Sequence, residues 1–167
     1  MADRGYVTMT GLLLPEEIRK TLANETFSYE PADSTEGWYF KITNVTNLAS
    51  KDLISAESLF KEAGGLTDDA SAAAATADKV KFLFIKNTGT TNGSTASTES
   101  VHICFDAGTG AYDQTDHVSV PAGMSWFCRL ERTTIADIHA RSVLADNSGN
   151  GTGNVQCLVF AIIDDVA

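Results

Sequence analysis

The sequence predicts a mainly β protein, with an antiparallel β-sandwich or jelly-roll body and an N-terminal arm that carries one or two short helices. Beyond residue 79, short stretches of alternating apolar residues follow one another, separated by Gly, Pro, Asn and Asp. No helical pattern lies between these stretches, which disfavours the parallel strands of a βαβ fold. The length of 167 residues fits one domain, or one domain with an arm.

The predicted arm covers residues 1–79. A short helix is expected over residues 15–23, because a proline, two acids and then two bases follow in the order that suits a helix dipole. A second helix is expected over residues 52–63, where apolar residues recur at helical spacing ahead of a glycine pair. Between them, residues 38–45 are rich in aromatic and β-branched residues and predict a strand.

The predicted body covers residues 80–167. Its first strand is apolar on both sides, with Val80, Phe82 and Phe84 alternating with Leu83 and Ile85, which is typical of a strand covered on both faces. Further strands are predicted over residues 101–105, 118–120, 124–130, 136–141 and 155–163, with a turn at residues 121–123.

The last predicted strand lacks a polar side. Its odd-numbered residues from Val155 to Ile163 are apolar, and so are Leu158, Phe160 and Ile162, which point the other way. In the predicted strand over residues 124–130, Phe127 points to the face opposite that of its apolar neighbours, so this strand also has apolar residues on both faces. Either the N-terminal strand and helices cover this second face within the chain, or part of it is a subunit interface. We expect a homo-oligomer, with Phe127, Leu158, Phe160 and Ile162 as candidate interface residues.

The charge balance limits the classes of partner. The chain has 22 acids and 12 bases, a formal net charge of −10, spread over both halves. Lys and Arg must neutralise phosphate in nucleic-acid and anionic membrane binding, so neither partner is expected. No apolar run approaches the length of a membrane helix, and the first residues lack the apolar core of a signal peptide. The three cysteines are widely spaced in apolar runs, which predicts that their thiols are reduced and buried. We therefore expect the protein to be made in a reducing cytosol.

The chemical motifs are incomplete. Residues 146–151 begin like a calcium loop, but the position that should supply the closing carboxylate is Cys157. His102, His117 and His139 have no metal-ligand spacing. Ser125, Asp137 and His139 could form a hydrolytic trio only by chance, since no nucleophile-elbow motif is present. We therefore expect no catalytic, cofactor-binding or metal-binding residue and no enzymatic activity.

Four sequence segments, each a predicted strand or turn, resemble those of a known class of proteins. They are residues 79–89 (KVKFLFIKNTG), 101–106 (VHICFD), 118–126 (VSVPAGMSW) and 135–140 (IADIHA). Over residues 79–163 the chain resembles small structural proteins of tailed bacteriophages, particularly the jelly-roll-like capsid decoration (cement) proteins of marine and cyanobacterial phages. None of these segments contains a catalytic residue.

The resemblance implies a non-enzymatic virion protein that is made in the host cytoplasm and stabilises the capsid from its exterior. Its partners would be the major capsid protein and further copies of itself, as a homotrimer. In this setting Leu12, Leu13 and Leu14 would be apolar anchors of an arm that adds to neighbouring subunits. The alternative is a tail, neck or fibre-associated binding module. Its polar loops at 87–100 and 146–154 would contact a host glycan or another virion protein.

Overall fold

The structure is a computed structural model, and it describes residues 5–9, 25–29, 36–46, 51–54, 58–60, 68–105, 117–142 and 153–164. The chain divides into two compact units, residues 1–34 and residues 35–167. In the first unit, strand β1 (Gly5–Met9) pairs antiparallel with strand β2 (Glu25–Tyr29).

The second unit contains two antiparallel sheets. The six-stranded sheet has the order β10-β7-β12-β3-β5-β6, and the four-stranded sheet has the order β4-β11-β8-β9. The strands are β3 (Glu36–Val45), β4 (Lys51–Asp52), β5 (Ser58–Phe60), β6 (Asp68–Ala73), β7 (Lys79–Asn87), β8 (Val101–Cys104), β9 (Val118–Val120), β10 (Ser125–Arg129), β11 (His139–Arg141) and β12 (Val155–Asp164). The predicted mainly β, antiparallel fold class is confirmed.

One apolar core joins the two sheets. Leu83 of β7 and Val159 and Ile163 of β12 belong to the same buried cluster as Val101 and Ile103 of β8. The inner face of each sheet therefore packs on the other, as in a β-sandwich. Each fully buried aliphatic side chain of this kind contributes about 1.5–3 kcal/mol.

The predicted turn at residues 121–123 is also present. Met124 N–H donates to the Pro121 carbonyl over 3.0 Å, and Gly123 has a φ of 77°. A positive φ at the third position of a turn is the type II geometry, which favours glycine because a Cβ would be strained there.

A β-bulge changes the predicted face of one residue. Ile162 pairs with Phe82 but the next residue, Ile163, pairs with Val80, so Lys81 is the extra residue. This shift turns Val80 into the core, instead of leaving it on the side of Phe82 as strict alternation predicts.

The helix predicted over residues 52–63 is wrong in its described part. Lys51–Asp52 is strand β4, Leu53 and Ile54 are both buried, and Ser58–Phe60 is strand β5. Phe60 pairs with Trp38, so sheet contacts overrode the local helical spacing. The helix predicted over residues 15–23 lies outside the described residues.

Strand β3 belongs to the body of the sandwich. It pairs with β12 along all of its residues, from Glu36 opposite Asp164 to Val45 opposite Val155. The compositional change at residue 79 therefore falls inside the second unit. β3 is the neighbour of β12 within the six-stranded sheet, so this strand itself does not cover the second face of β12.

Candidate functional site

The outer face of the six-stranded sheet carries a row of four phenylalanines. Phe127 pairs with Phe84, Phe84 with Phe160, and Phe160 with Phe40. Residues directly opposite in antiparallel strands have their side chains on the same face. The row thus crosses four neighbouring strands.

The rows on either side are also largely apolar. We call the three rows together the phenylalanine face. Its members are Phe127, Phe84, Phe160 and Phe40 in the central row, Ser125, Lys86, Leu158 and Ile42 in one flanking row, and Arg129, Phe82, Ile162 and Trp38 in the other. Apart from Ser125, Lys86 and Arg129, every member is apolar.

Burial is uneven across this face. Trp38, Phe82 and Ile162, at one end, are buried although they lie outside the core cluster between the sheets. At the other end, Phe40 remains 47% exposed and Ile42 54% exposed. The face is therefore covered at one end and open at the other.

Aromatic contacts order the rings of this face. The Trp38 and Phe160 rings have centroids 5.1 Å apart, and the Phe82 and Phe127 rings have centroids 6.4 Å apart, both tilted by 38°. Such pairs contribute about 0.5–1.5 kcal/mol beyond their buried area. Four of the rings on this face therefore contact one another in two pairs.

The charges on this face are basic. Lys86 and Arg129 are exposed, and no carboxylate belongs to the face. Arg129 has Glu131 3.9 Å away, off the face. Beyond the covered end, Lys81 Nζ lies 2.9 Å from Asp164 Oδ2, and this hydrogen bond raises the pKa of Lys81. The row of Ile42 at the open end thus carries one base, Lys86, in a chain whose net charge is −10.

The structure brings four of the predicted interface residues together. Phe127, Leu158, Phe160 and Ile162 all lie on the phenylalanine face, whose role in an interface stays a prediction. Leu12, Leu13 and Leu14 lie outside the described residues.

The exposed apolar members of the face, Phe40 and Ile42, were missed as site residues. They alternate with Tyr39, Lys41 and Thr43 in the predicted strand, so their parity was readable from the sequence. Their pairing with Phe160 and Leu158 was not readable.

The outer face of the four-stranded sheet is polar and contains all three histidines of the chain. His139 pairs with Cys104, while His102 pairs with Arg141 on one side and Ser119 on the other. The His117 ring meets the His102 ring edge-on, with centroids 5.0 Å apart and planes at 82°. We call these six residues the histidine face. The histidines are distant in sequence, so only strand register reveals that they share a face.

His102 is the most constrained member of the histidine face. It is 5% exposed, and its Nδ1 lies 2.9 Å from Ser119 Oγ. Its Nε2 is buried and has no hydrogen-bond partner. Burial lowers the pKa of His102, and the nearby His117 lowers it further.

Other reactive side chains have structural roles. Asp137 accepts hydrogen bonds from Thr134 N–H, at 3.1 Å, and Thr134 Oγ1, at 2.6 Å, and so caps a short 3₁₀ turn at Ile135–Asp137. Ser125 and His139 lie on different sheets. Burial raises the pKa of Cys128 and of Cys157 to about 12, so both thiols are protonated at neutral pH.

The described residues show neither a metal-binding cluster nor a membrane-spanning helix. In them, no group of three or more His, Cys, Asp or Glu side chains is placed to bind a metal ion. No helix among the same residues has the length and apolar character needed to cross a membrane. In comparisons with known proteins, no protein-family model matches the chain, and no match is found among curated proteins or solved structures.

Proposed function

We propose that this protein is a non-enzymatic structural protein of a phage virion, of the capsid decoration type. It would attach to the exterior of the assembled shell through the open end of the phenylalanine face. The observation that carries the proposal is the exposure of Phe40 and Ile42 beside half-buried Phe84, Phe160 and Leu158. A contiguous exposed apolar patch on an otherwise acidic protein marks an interaction surface. The phage resemblance of residues 79–163 supplies the partner.

The patch suits a contact that is made many times over. Burying the remaining surface of Phe40 and Ile42 contributes about 1 kcal/mol each, roughly half of full burial. Such a contact is modest for one copy. A shell presents many equivalent sites, and several linked copies bind far more tightly than one, without new contacts.

The charges favour a partner with carboxylates. Lys86 lies beside Leu158 in the same row as Ile42 and is exposed. An apolar surface edged by Asp or Glu would complement this row, whereas a basic surface would be repelled. Charge complementarity of this kind chiefly sets orientation and association rate.

The glycan-binding alternative has less support. The described loop at residues 87–100 contains no aromatic side chain to stack on a sugar ring. The Asn92 side-chain oxygen accepts hydrogen bonds from Ser94 N–H and Thr95 N–H, at 3.1 and 2.9 Å, so it is engaged within its own turn. A tail or neck position remains an outcome of the test below.

The test measures binding to empty shells assembled from the major capsid protein of the same virus. In co-sedimentation, the unmodified protein should bind saturably and Phe40→Ser/Ile42→Ser should lose at least about tenfold in affinity, since about 1.4 kcal/mol corresponds to that factor. Met124→Ser is the matched control, because Met124 is 60% exposed and lies outside the face.

Two results would contradict the proposal. One is undiminished shell binding by the double variant. The other is electron-microscopy density for the protein that is confined to the tail of the particle.

A further inference from the structure

His102 lies in the interior of the four-stranded sheet, between two neighbouring strands. Strand β8 is an inner strand of that sheet, paired with β11 on one side and β9 on the other. His102 has Arg141 directly opposite on β11 and Ser119 directly opposite on β9. His102 therefore takes part in both strand pairings of β8.

The groups around His102 are mostly neutral or basic. His117 precedes β9 and touches the imidazole ring, and Arg141 lies opposite on β11. Cys104 follows on β8 itself, and His139, one position along β11, is paired with Cys104. Asp52 of β4 is the register partner of His139, one strand further away. Among the described residues, no carboxylate lies directly opposite His102.

Proton uptake changes what this site must accommodate. In the neutral ring one nitrogen is a donor and the other an acceptor, and Nδ1 is engaged with Ser119 Oγ. A proton added to the ring makes both nitrogens donors and places a positive charge in a buried site. Among the described residues the Nε2–H has no acceptor, and the charge lies against the His117 ring. A buried charge without a partner is strongly destabilising.

We propose that protonation of the buried His102 imidazole weakens the pairing of β8 with β9 and β11 in the four-stranded sheet. This inference concerns the sheet opposite the phenylalanine face and does not depend on the proposed function.

The direction of the effect follows from linkage. An unfolded chain protonates His102 near its ordinary pKa of 6.5, whereas the folded chain holds the ring neutral to lower pH. Above pH 6.5 both states are neutral and stability is complete. As pH falls from 6.5 through the folded pKa, the unfolded state binds the extra proton and stability is lost, by at most about tenfold in the folding constant per pH unit.

The experiment uses the unmodified full chain at about pH 7.5 and about pH 5.5, on either side of the ordinary imidazole pKa. Imidazole resonances give the His102 pKa, and amide hydrogen exchange, corrected for intrinsic rates, gives local opening constants. We expect a His102 pKa below 6.5. Opening of the β8 and β9 amides should rise at the lower pH, and by a larger factor than the opening of the β3 and β12 amides. A His102 pKa at or above 6.5, or equal opening of β8 and β9 at both pH values, would overturn the proposal.

Matched variants separate His102 from its neighbours. His102→Gln cannot take up a proton and should abolish the pH response of β8 and β9, whereas His139→Gln should retain it. His117→Gln should raise the His102 pKa and shrink the response. A response that survives His102→Gln, or that disappears with His139→Gln, would overturn the proposal. If His102→Gln does not fold, the titration of the unmodified protein and the His117→Gln variant still decide the outcome.

Discussion

The outer faces of the two sheets reverse the usual relation between polarity and burial. On the phenylalanine face, Phe40 and Ile42 are about half exposed; on the histidine face, His102 and Cys104 are buried. Apolar side chains in water and an imidazole without water both cost free energy. The comparison teaches that the two unfavourable elements differ in kind, and they are the features on which the two proposals rest: shell binding through the phenylalanine face and proton sensitivity through His102.

The largest expected effect tests the burial gradient within the phenylalanine face. Ile162→Ala should lower the free energy of unfolding by about 2–5 kcal/mol, because this fully buried side chain would leave a cavity. Ile42→Ala should cost less than about 1 kcal/mol, because Ile42 is already half exposed. Urea unfolding of both variants measures the difference. Equal losses would show that the two ends of the face are not differently covered.

A smaller effect is expected at Asn87, a residue of β7 whose side chain contacts β9 of the other sheet. Asn87 Nδ2 donates to the carbonyls of Glu99, at 2.9 Å, and Val120, at 3.0 Å, and its Oδ1 accepts from Gly89 N–H. Asn87→Ala would leave the buried Val120 carbonyl and the part-buried Glu99 and Gly89 groups without this partner, and should cost about 1–3 kcal/mol in urea unfolding.

Exposed Asn44 provides the control for this substitution, since Asn44→Ala should be nearly neutral. If both asparagine variants lose the same stability, the buried hydrogen bonds of Asn87 do not hold β7 to β9.

The smallest effect concerns the ion pair beyond the covered end of the phenylalanine face. The Lys81 and Asp164 side chains are 24% and 22% exposed, so their 2.9 Å contact is only partly screened. Lys81→Met should cost about 0.3–1 kcal/mol at low salt and less at high salt. Exposed Lys86→Met, at the open end, should leave stability unchanged. A cost for Lys81→Met that does not depend on salt would assign the effect to packing.

Much of the sandwich could be predicted from the sequence, because alternation reports side-chain parity directly. The two apolar sides of β12 and the opposition of Phe127 to Trp126 were readable from local order. The error in the second predicted helix could not be seen in the sequence, because the helical spacing of Leu53 and Phe60 also fits a buried residue that follows β4 and a residue of β5. The bulge at Lys81 was equally hidden, since one extra residue leaves no mark in composition.

The sequence by itself determined the fold class, the acidic charge balance of both halves of the chain, and the apolar second face of β12. Each of these depends on residue type and on order along one strand. Only the tertiary structure decided that Phe127, Phe84, Phe160 and Phe40 form one row and that the three histidines share one face. The physical reason is register: pairing between distant strands sets which side chains become neighbours, and a shift of one residue would turn each of them to the other side of its sheet.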